Sequence, residues 1–399
     1  TLYDPGTGVN ETNAWTIVIS SDDATSSAAD LNTINASTSA EVNAAAVTTI
    51  SSSTISDVGT LLTNAAKDGT PDPREFTAGS FDSLGAVTLS DNTITVGDLN
   101  TAISNANTVA TSATTKFTIS NAAALINGGN ESAFETLMTK EGAAGTDNIN
   151  LSSQKLTVTG TISSITNANN FTASTTGDVT GEIVNTTLVS DLTGLTNSQA
   201  NAKYTVTLNT ADSGTVTAAN LNRIDGATTV DVDMGNITAL GASNIADLTA
   251  LNANKENFAT RGNLATITLT DNGGAASEVD FGALADIIDD AQTNFQTNIT
   301  FKFQAADVIN VNGSTELGKF LTDISDPNPQ LTLTDQKISV TGGAISIANA
   351  RSIAADTTGT VTASIDTTSR VADLTTLYDP GTGVNETNAW TIAISTDDA

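Results

Sequence analysis

Short segments in which apolar residues alternate with Thr or Ser recur along the whole chain. Alternation with a period of two is typical of β-strands that bury one face. Thr suits the other face, because its branched Cβ fits a pleated strand and its hydroxyl group can contact water. The sequence therefore predicts strands in nine segments: 15–20, 87–90, 116–120, 155–159, 204–208, 266–270, 299–303, 331–334 and 360–365.

Between these segments lie short stretches in which apolar residues are spaced by three. This spacing places three side chains on one face of a two-turn helix. The third position of each stretch is Asp, whose negative charge suits the N-terminal end of a helix dipole. The sequence thus predicts helices at Ile55/Val58/Leu61, Val189/Leu192/Leu195, Ile245/Leu248/Leu251 and Val371/Leu374/Leu377, with Asp57, Asp191, Asp247 and Asp373 in their first turns.

Strands and short helices alternate, and each pair takes roughly 20–28 residues, a length common in solenoid repeats. A two-turn helix is not stable alone, so its apolar face must pack on strands supplied by neighbouring coils. We therefore expect a mixed α/β repeat protein, a solenoid-like stack of short strands and two-turn helices. The alternative is a mainly-β solenoid.

One stretch of 24 residues occurs twice. Residues 1–24 and 376–399 are identical at 22 positions and differ only at Val18/Ala393 and Ser21/Thr396. Repetition of this kind predicts one full copy of a 375-residue tandem repeat followed by the start of the next, within a longer polypeptide. In a regular array, the two copies should follow the same path.

The 375-residue period also contains two related halves. Residues 149–195 align without a gap with residues 331–377, and residues 26–61 align with residues 214–251. The sequence predicts a first half-repeat array at 1–195, a second at 196–375, and the start of the next copy at 376–399. We place boundaries between smaller blocks at 4–8, 67–74, 128–130 and 326–330, which are rich in Gly, Pro and Asn.

The composition narrows the possible partners. The formal net charge is −30, with 44 acidic and 14 basic residues. Binding to nucleic acid or to an anionic membrane needs clusters of Lys and Arg, and none is present. No apolar run reaches the 18 residues needed to span a membrane. Because the chain has no Cys and no His, thiol and imidazole chemistry are excluded.

Acidic residues follow several predicted strands: Asp22, Asp23, Asp91, Asp271, Asp335, Asp397 and Asp398. Carboxylate, amide and carbonyl oxygens are the ligands that Ca²⁺ prefers. Asp also favours turns for purely structural reasons. Ca²⁺ is therefore a possible ligand, no cofactor is required, and the residues of a metal site stay unknown.

The sequence carries no set of catalytic residues. Close carboxylates such as Asp289 and Asp290 are expected in so acidic a chain, and glycosidase chemistry needs a cleft as well. Without His, a Ser triad cannot form. We expect a protein that is not an enzyme.

Residues 299–321, 331–350 and 356–377 resemble repeats of giant tandem-repeat surface proteins and calcium-dependent adhesins of bacteria, especially cyanobacteria. The resemblance implies an extracellular location at the cell surface and a load-bearing or adhesive role. It assigns no functional residue.

The sequence thus predicts a non-enzymatic structural repeat of a very long extracellular surface protein that forms a fibre, filament or coat. Its partners would be further copies of the same repeat, in the same chain or in neighbouring chains. Two alternatives stay open: the passive stalk of a calcium-dependent adhesin, and a surface-layer lattice protein.

Overall fold

A computed structural model gives the structure of the protein. It describes residues 14–66, 76–141, 148–184, 186–196, 200–270, 278–295, 299–303, 307–325, 330–366, 371–377 and 388–392. The chain divides into two compact units: unit 1 comprises Thr1–Val184 and Ser198–Thr205, and unit 2 comprises Asn185–Asn197 and Val206–Ala399.

In unit 1, strands and helices alternate along the chain. The strands are β1 (Ile17–Val18), β2 (Thr25–Ser26), β3 (Val42–Asn43), β4 (Thr49–Ser53), β5 (Ala86–Leu89), β6 (Thr93–Thr95), β7 (Lys116–Ile119), β8 (Leu125–Gly129), β9 (Lys155–Ile162), β10 (Val179–Ile183) and β11 (Ala202–Val206), whose last residue belongs to unit 2. The helices are α1 (Ala28–Ala36), α2 (Ile55–Ala65), α3 (Val96–Val109), α4 (Glu131–Glu141) and α5 (Ile165–Ser174).

Unit 2 is built in the same way. Its strands are β12 (Val232–Asp233), β13 (Ala239–Ser243), β14 (Phe258–Ala259), β15 (Thr266–Leu269), β16 (Glu278–Asp280), β17 (Thr300–Phe303), β18 (Val308–Asn312), β19 (Leu331–Thr332), β20 (Lys337–Ile345), β21 (Val361–Ile365) and β22 (Ala389–Ile392). Its helices are α6 (Val189–Leu192), α7 (Ala218–Asp225), α8 (Ile245–Ala253), α9 (Phe281–Asn294), α10 (Gly313–Ser325), α11 (Ile347–Asp356) and α12 (Val371–Leu374).

The strands form six sheets whose pairs run parallel, so each pair is joined by a crossover rather than by a tight turn. Unit 1 contains the sheets β1-β3, β2-β4-β5-β7 and β6-β8-β9-β10-β11. Unit 2 contains β12-β14, β13-β15-β17-β19 and β16-β18-β20-β21-β22. The registers align buried side chains: β5 and β7 place Val87 opposite Phe117 and Leu89 opposite Ile119, and all four are buried.

Helices in each unit pack against the next helix in the chain, from α1 to α5 in unit 1 and from α7 to α11 in unit 2. Aromatic side chains fill the space beneath the longer helices. Phe134 of α4 packs against Phe171 of α5, and Phe281 of α9 packs edge-on against Phe320 of α10. All four rings are fully buried, so 11 Phe residues contribute more to the core than their small number suggests.

The related halves found in the sequence make the same hydrogen bonds. Thr175 Oγ1 donates to the Gln154 carbonyl at 2.6 Å, and Thr357 Oγ1, 182 positions later, donates to the Gln336 carbonyl at 2.7 Å. Each threonine hydroxyl also accepts the N–H of the Gly two residues on, at 3.0 Å in both places. The motif Thr-Thr-Gly therefore forms the same corner before β10 and before β21.

A second correspondence links residues 190 positions apart. The Ala28 N–H at the start of α1 donates to Ser53 Oγ of β4 at 2.9 Å. The Ala218 N–H at the start of α7 donates to Ser243 Oγ of β13 at the same distance. A serine at the end of each strand thus satisfies an otherwise unpaired N–H at the start of each helix.

Each of the nine predicted strand segments overlaps an observed strand. Helices α2 and α8 begin at Ile55 and Ile245, as predicted, and Asp57 and Asp247 lie in their first turns. The predicted block boundaries at 4–8 and 67–74 and most of the one at 326–330 lie outside the described residues.

The predicted solenoid-like stack of short strands and two-turn helices was wrong, and so was the mainly-β solenoid. The described residues form an α/β fold in which twelve α-helices alternate with strands of six parallel sheets. Several helices are longer than two turns, and α3 and α9 each have 14 residues. Small buried residues such as Ala102 and Ala106 extend the apolar face of α3, and these small side chains do not belong to the pattern of large apolar residues spaced by three.

We predict that Gly177→Ala destabilises unit 1. A Cβ at Gly177 would lie 2.7 Å from the Gln154 carbonyl carbon and 2.8 Å from the Ser153 carbonyl oxygen, so the backbone must shift, at a cost of about 1–3 kcal/mol. The control is Gly59→Ala in α2, where a Cβ meets nothing within 4 Å and alanine should stabilise the helix by up to ~1 kcal/mol. Urea unfolding followed by circular dichroism measures both changes. Equal effects of the two substitutions would contradict the close packing at the Thr-Thr-Gly corner.

Candidate functional site

Carboxylates beside the helix starts act as caps. Asp57 and Thr54 form a reciprocal pair in which Thr54 Oγ1 donates to Asp57 Oδ2 at 2.8 Å and accepts the Asp57 N–H at 3.2 Å. Asp91, which follows β5, accepts the Ile55 N–H at the start of the same helix at 2.7 Å. These carboxylates satisfy helix N–H groups and interact favourably with the helix dipole.

The acidic residues proposed as Ca²⁺ ligands do not come together among the described residues. Asp22 and Asp23 lie in the short 3₁₀ turn Ser21–Asp23, and Asp335 accepts a hydrogen bond from the neighbouring Gln336 side chain at 3.1 Å. No group of three or more acidic side chains in the described ranges is placed to hold a metal ion. Asp271, Asp397 and Asp398 lie outside these ranges, so Ca²⁺ binding stays a prediction.

The adjacent carboxylates of α9 point to different neighbours. Asp289 forms an ion pair with Lys319 of α10 at 3.4 Å, and Asp290 accepts a hydrogen bond from the Asn252 side chain at 2.7 Å. Burial, and to a lesser extent the Asp289 carboxylate, raise the pKa of the nearby Asp323 to about 6 against the opposing effect of Lys319. This arrangement packs α9 against α10, and it does not form a pair of carboxylates facing a common cleft.

Glu131 joins two helices of unit 1. Its carboxylate accepts the Ser163 and Ser164 N–H groups at 2.8 and 3.0 Å, the Ser163 hydroxyl at 2.7 Å and the Asn167 side chain at 2.9 Å. Burial alone would raise the pKa of Glu131, but these hydrogen bonds favour the charged form and lower it. Glu131, at the start of α4, thus caps the start of α5. No local pattern in the sequence indicates this role of Glu131, because its partners are 32 to 36 positions away.

The first copy of the repeated segment lies at a sheet edge in unit 1. Strand β1 pairs with β3, and Ile17 lies opposite Val42. The Thr38 hydroxyl donates to the Trp15 carbonyl at 2.8 Å, which ties the start of the segment to the loop between α1 and β3. Trp15 is 50% exposed and Val18 is 65% exposed.

The second copy lies at a sheet edge in unit 2. Strand β22 pairs with β21, with Trp390 opposite Ala363 and Ile392 opposite Ile365. Ile392 is 43% exposed. In both copies, the repeated segment is therefore an edge strand of a parallel sheet.

The two copies share a strand residue but differ in the extent of the strand. Ile17 and its equivalent Ile392 are strand residues in both copies, whereas residues 389–391 are in a strand and residues 14–16 are not. The neighbour explains the difference, because residues 389–391 lie against β21 and residues 14–16 have no described strand on the corresponding edge. The predicted common path can be compared only over these four positions.

Exposed apolar side chains are concentrated in this segment. Among the described residues, the large hydrophobic side chains that are exposed are Trp15, Val18, Leu188 and Ile392. Three of the four belong to the two copies of the repeated segment. The sequence identified the repetition, but it did not show that both copies would be edge strands with apolar side chains in contact with solvent.

No protein-family model matches the chain, and no curated protein matches its sequence. None of the helices in the described part of the chain is both long and apolar enough to cross a membrane.

We predict that Glu131→Gln destabilises unit 1 by about 1–2 kcal/mol at neutral pH, because it weakens charge-assisted hydrogen bonds at the start of α5. The folded-state pKa of Glu131 is below the unfolded value, so its contribution is present above the unfolded pKa and is lost as the pH falls through the folded pKa. The control is Glu135→Gln on the exposed side of the same helix. Urea unfolding of both variants at neutral and acidic pH is the measurement. A loss of stability that is as large at acidic pH as at neutral pH contradicts the role of the charge.

We predict that Asp323→Asn stabilises unit 2 at neutral pH, on the order of 1 kcal/mol after screening by solvent. The folded-state pKa of Asp323 is about 6 and lies above the ordinary value of 3.8 for this side chain, so the folded protein binds this proton more tightly. The charged Asp323 carboxylate therefore destabilises the folded protein increasingly between about pH 4 and about pH 6, and this destabilisation is complete above that range. The control is Asp286→Asn, whose side chain is 81% exposed. Unfolding free energies across this range should show a smaller pH dependence for Asp323→Asn alone; an unchanged dependence contradicts the shifted pKa.

Proposed function

We propose that this protein is a non-enzymatic structural protein of a cell surface, and that copies of its 375-residue repeat assemble into a fibre, filament or coat outside the cell. The observation that supports this most directly is the repeated segment. It recurs with 22 of 24 residues unchanged, and both copies are edge strands that carry most of the exposed large apolar side chains of the described residues.

An edge strand favours association because its outer backbone N–H and C=O groups can bond to another strand. Edge strands of globular proteins are commonly protected by Lys, Pro or a bulge. The described parts of the repeated segment carry instead Trp15, Val18 and Ile392. An edge of this kind fits a role in which further copies of the repeat are the partner.

The charge supports the same function. At a net charge of −30, copies of the chain repel one another at low ionic strength and stay dispersed. Salt shortens the range of this repulsion, from about 30 Å at 0.01 M to about 8 Å at 0.15 M. Association that depends on apolar and backbone contacts should therefore strengthen with salt.

We predict that the full chain associates end to end at high concentration and physiological salt, and that association weakens at low salt. Val18→Ser should reduce association, because it removes an exposed apolar side chain from the edge strand. The control is Leu188→Ser, which removes a side chain of 42% exposure outside the repeated segment. Sedimentation velocity measures the assembly, and negative-stain micrographs recorded with and without chelator show its form. Uniform fibres support the proposal. A monomer under all conditions contradicts it, and sheets that chelator dissolves would favour the surface-layer alternative.

A further inference from the structure

Among the described residues, the backbone partners of the first copy of the repeated segment lie on one of its two edges. The Ile19 N–H donates to the Asn43 carbonyl at 2.8 Å, and the Trp15 carbonyl accepts from the Thr38 hydroxyl. Successive residues of a strand direct their backbone groups to opposite edges. Ile17 and Ile19 therefore face β3, the Trp15 carbonyl faces Thr38 in the loop before β3, and the backbone groups of Thr16 face the other edge.

The hydrogen bonds of β21 show which of its residues face the second copy. The Asp366 N–H donates to the Ile345 carbonyl of β20 at 2.9 Å, and the Thr360 carbonyl accepts the Ile338 N–H at 3.0 Å. Even-numbered residues of β21 thus face β20, and the odd-numbered residues, which include Ala363, face β22.

The partner of Ala363 identifies the edge that the second copy uses. Ala363 lies opposite Trp390, and a residue in a parallel pair bonds to the neighbours of the residue opposite. Its partners are therefore Ala389 and Thr391, which correspond to Ala14 and Thr16 in the first copy. The second copy bonds to β21 through the edge that the first copy leaves without a described partner.

The side-chain registers agree with the backbone edges. Ile392 lies opposite Ile365 in β21, and the equivalent Ile17 lies opposite Val42 in β3. Ile365 is 2% exposed and Val42 is fully buried, whereas Ile392, with a strand on one side, is 43% exposed. In a strand that pairs on both edges, a single isoleucine would lie between Ile365 and Val42, and the three side chains would form a continuous apolar row.

Residues 201–208 form a segment related to the repeated one. It has one backbone hydrogen bond of the kind made by the second copy and one of the kind made by the first copy. Inside unit 1, β11 lies beside β10, and the Val179 N–H donates to the Asn201 carbonyl at 2.8 Å. Inside unit 2, the Leu208 N–H donates to the Asp233 carbonyl at 2.9 Å, which matches the bond from Ile19 to Asn43. Tyr204 lies where Trp15 lies in the repeated segment, and it is 1% exposed.

We propose that the repeated segment is a shared strand that joins consecutive copies of this protein: β21 of one copy pairs with one edge of the strand, and β3 of the next copy pairs with the other edge. The partner is a second copy of this chain, arranged head to tail. The inference rests on the proposed function and adds the contact, the register and the residues that make it.

The test uses a fused chain in which residues 1–375 are followed directly by residues 1–399, so that one segment occupies the joint. Ser364 lies opposite Thr391, the equivalent of Thr16, and the register of β1 on β3 continued by one residue places Glu41 opposite Thr16. In the joint, Ser364 of the first copy and Glu41 of the second copy would therefore lie on either side of the shared Thr16, at two strand spacings, or about 10 Å. Both side chains are exposed. The chain has no Cys, so Ser364→Cys and Glu41→Cys create one thiol pair.

A bismaleimide of about 10 Å span, a length set by two strand spacings, should link this pair in most molecules. It should not link a control pair of Glu278→Cys and Glu41→Cys, because Glu278 lies on β16, three strands further from the joint. Mass spectrometry of the digested protein identifies the linked peptides. Absence of the first link in a fused chain that melts like the single chain overturns the proposal, whether or not the single chain forms fibres.

A second measurement uses the unfused 399-residue chain, so the test does not depend on folding of the fusion. Thr391→Pro removes an N–H that faces β21, and Thr16→Pro removes the equivalent N–H where no described strand receives it. With the other Trp replaced by Phe, acrylamide quenching of Trp390 should rise with Thr391→Pro to at least the value for Trp15. Quenching of Trp15 should not change with Thr16→Pro. Equal responses of the two copies overturn the assignment of edges.

Discussion

The parallel backbone ladder is the interaction on which the rest of this structure depends. Each strand directs N–H and C=O groups to two edges, and every buried group needs a partner. Two parallel strands cannot be joined by a tight turn. Each strand is therefore followed by a crossover that must return the chain to the position beside its partner strand. The sequence provides this return with polar corners as well as with helices. At the corner before β10, Thr175 bonds to the Gln154 carbonyl, and the Asn201 side chain donates to the carbonyls of Thr172 and Thr175 at 3.1 and 2.7 Å.

This dependence explains the unusual composition. Thr, Ser and Asn have short side chains that can bond to the backbone, and in this protein they repeatedly receive or supply hydrogen bonds that the ladders and helices leave open. Ser53 and Ser243 cap neighbouring helices across the fold, and the carboxylates of Asp91 and Glu131 do the same. The acidic residues are thus engaged in structure at many positions. Their abundance by itself therefore does not identify a metal site or a catalytic pair.

The same ladder also connects the fold to the proposed function. A sheet has two edges, and an edge strand with apolar side chains in solvent favours a further strand. The repeated segment presents opposite edges in its two copies, one bonded to β3 and the other to β21. A protein that grows by adding copies needs such a strand at each joint, because the joint then buries the same row of side chains as the interior of the sheet.

The sequence by itself determined the local elements and the repetition. The alternation of apolar residues with Thr located strands such as β7 and β21, and the spacing of Ile55, Val58 and Leu61 located the start of α2, because these patterns depend only on the period of a strand or a helix. Tertiary structure decided the length of α3, where the small side chains of Ala102 and Ala106 are buried by the packing of the folded chain. It also decided the grouping of strands into six sheets rather than one solenoid-like stack, and the pairing of Glu131 with α5, which depends on residues far apart in the chain. Identical sequences predict identical local structure, but the edge that each copy of the repeated segment uses depends on which strand lies beside it.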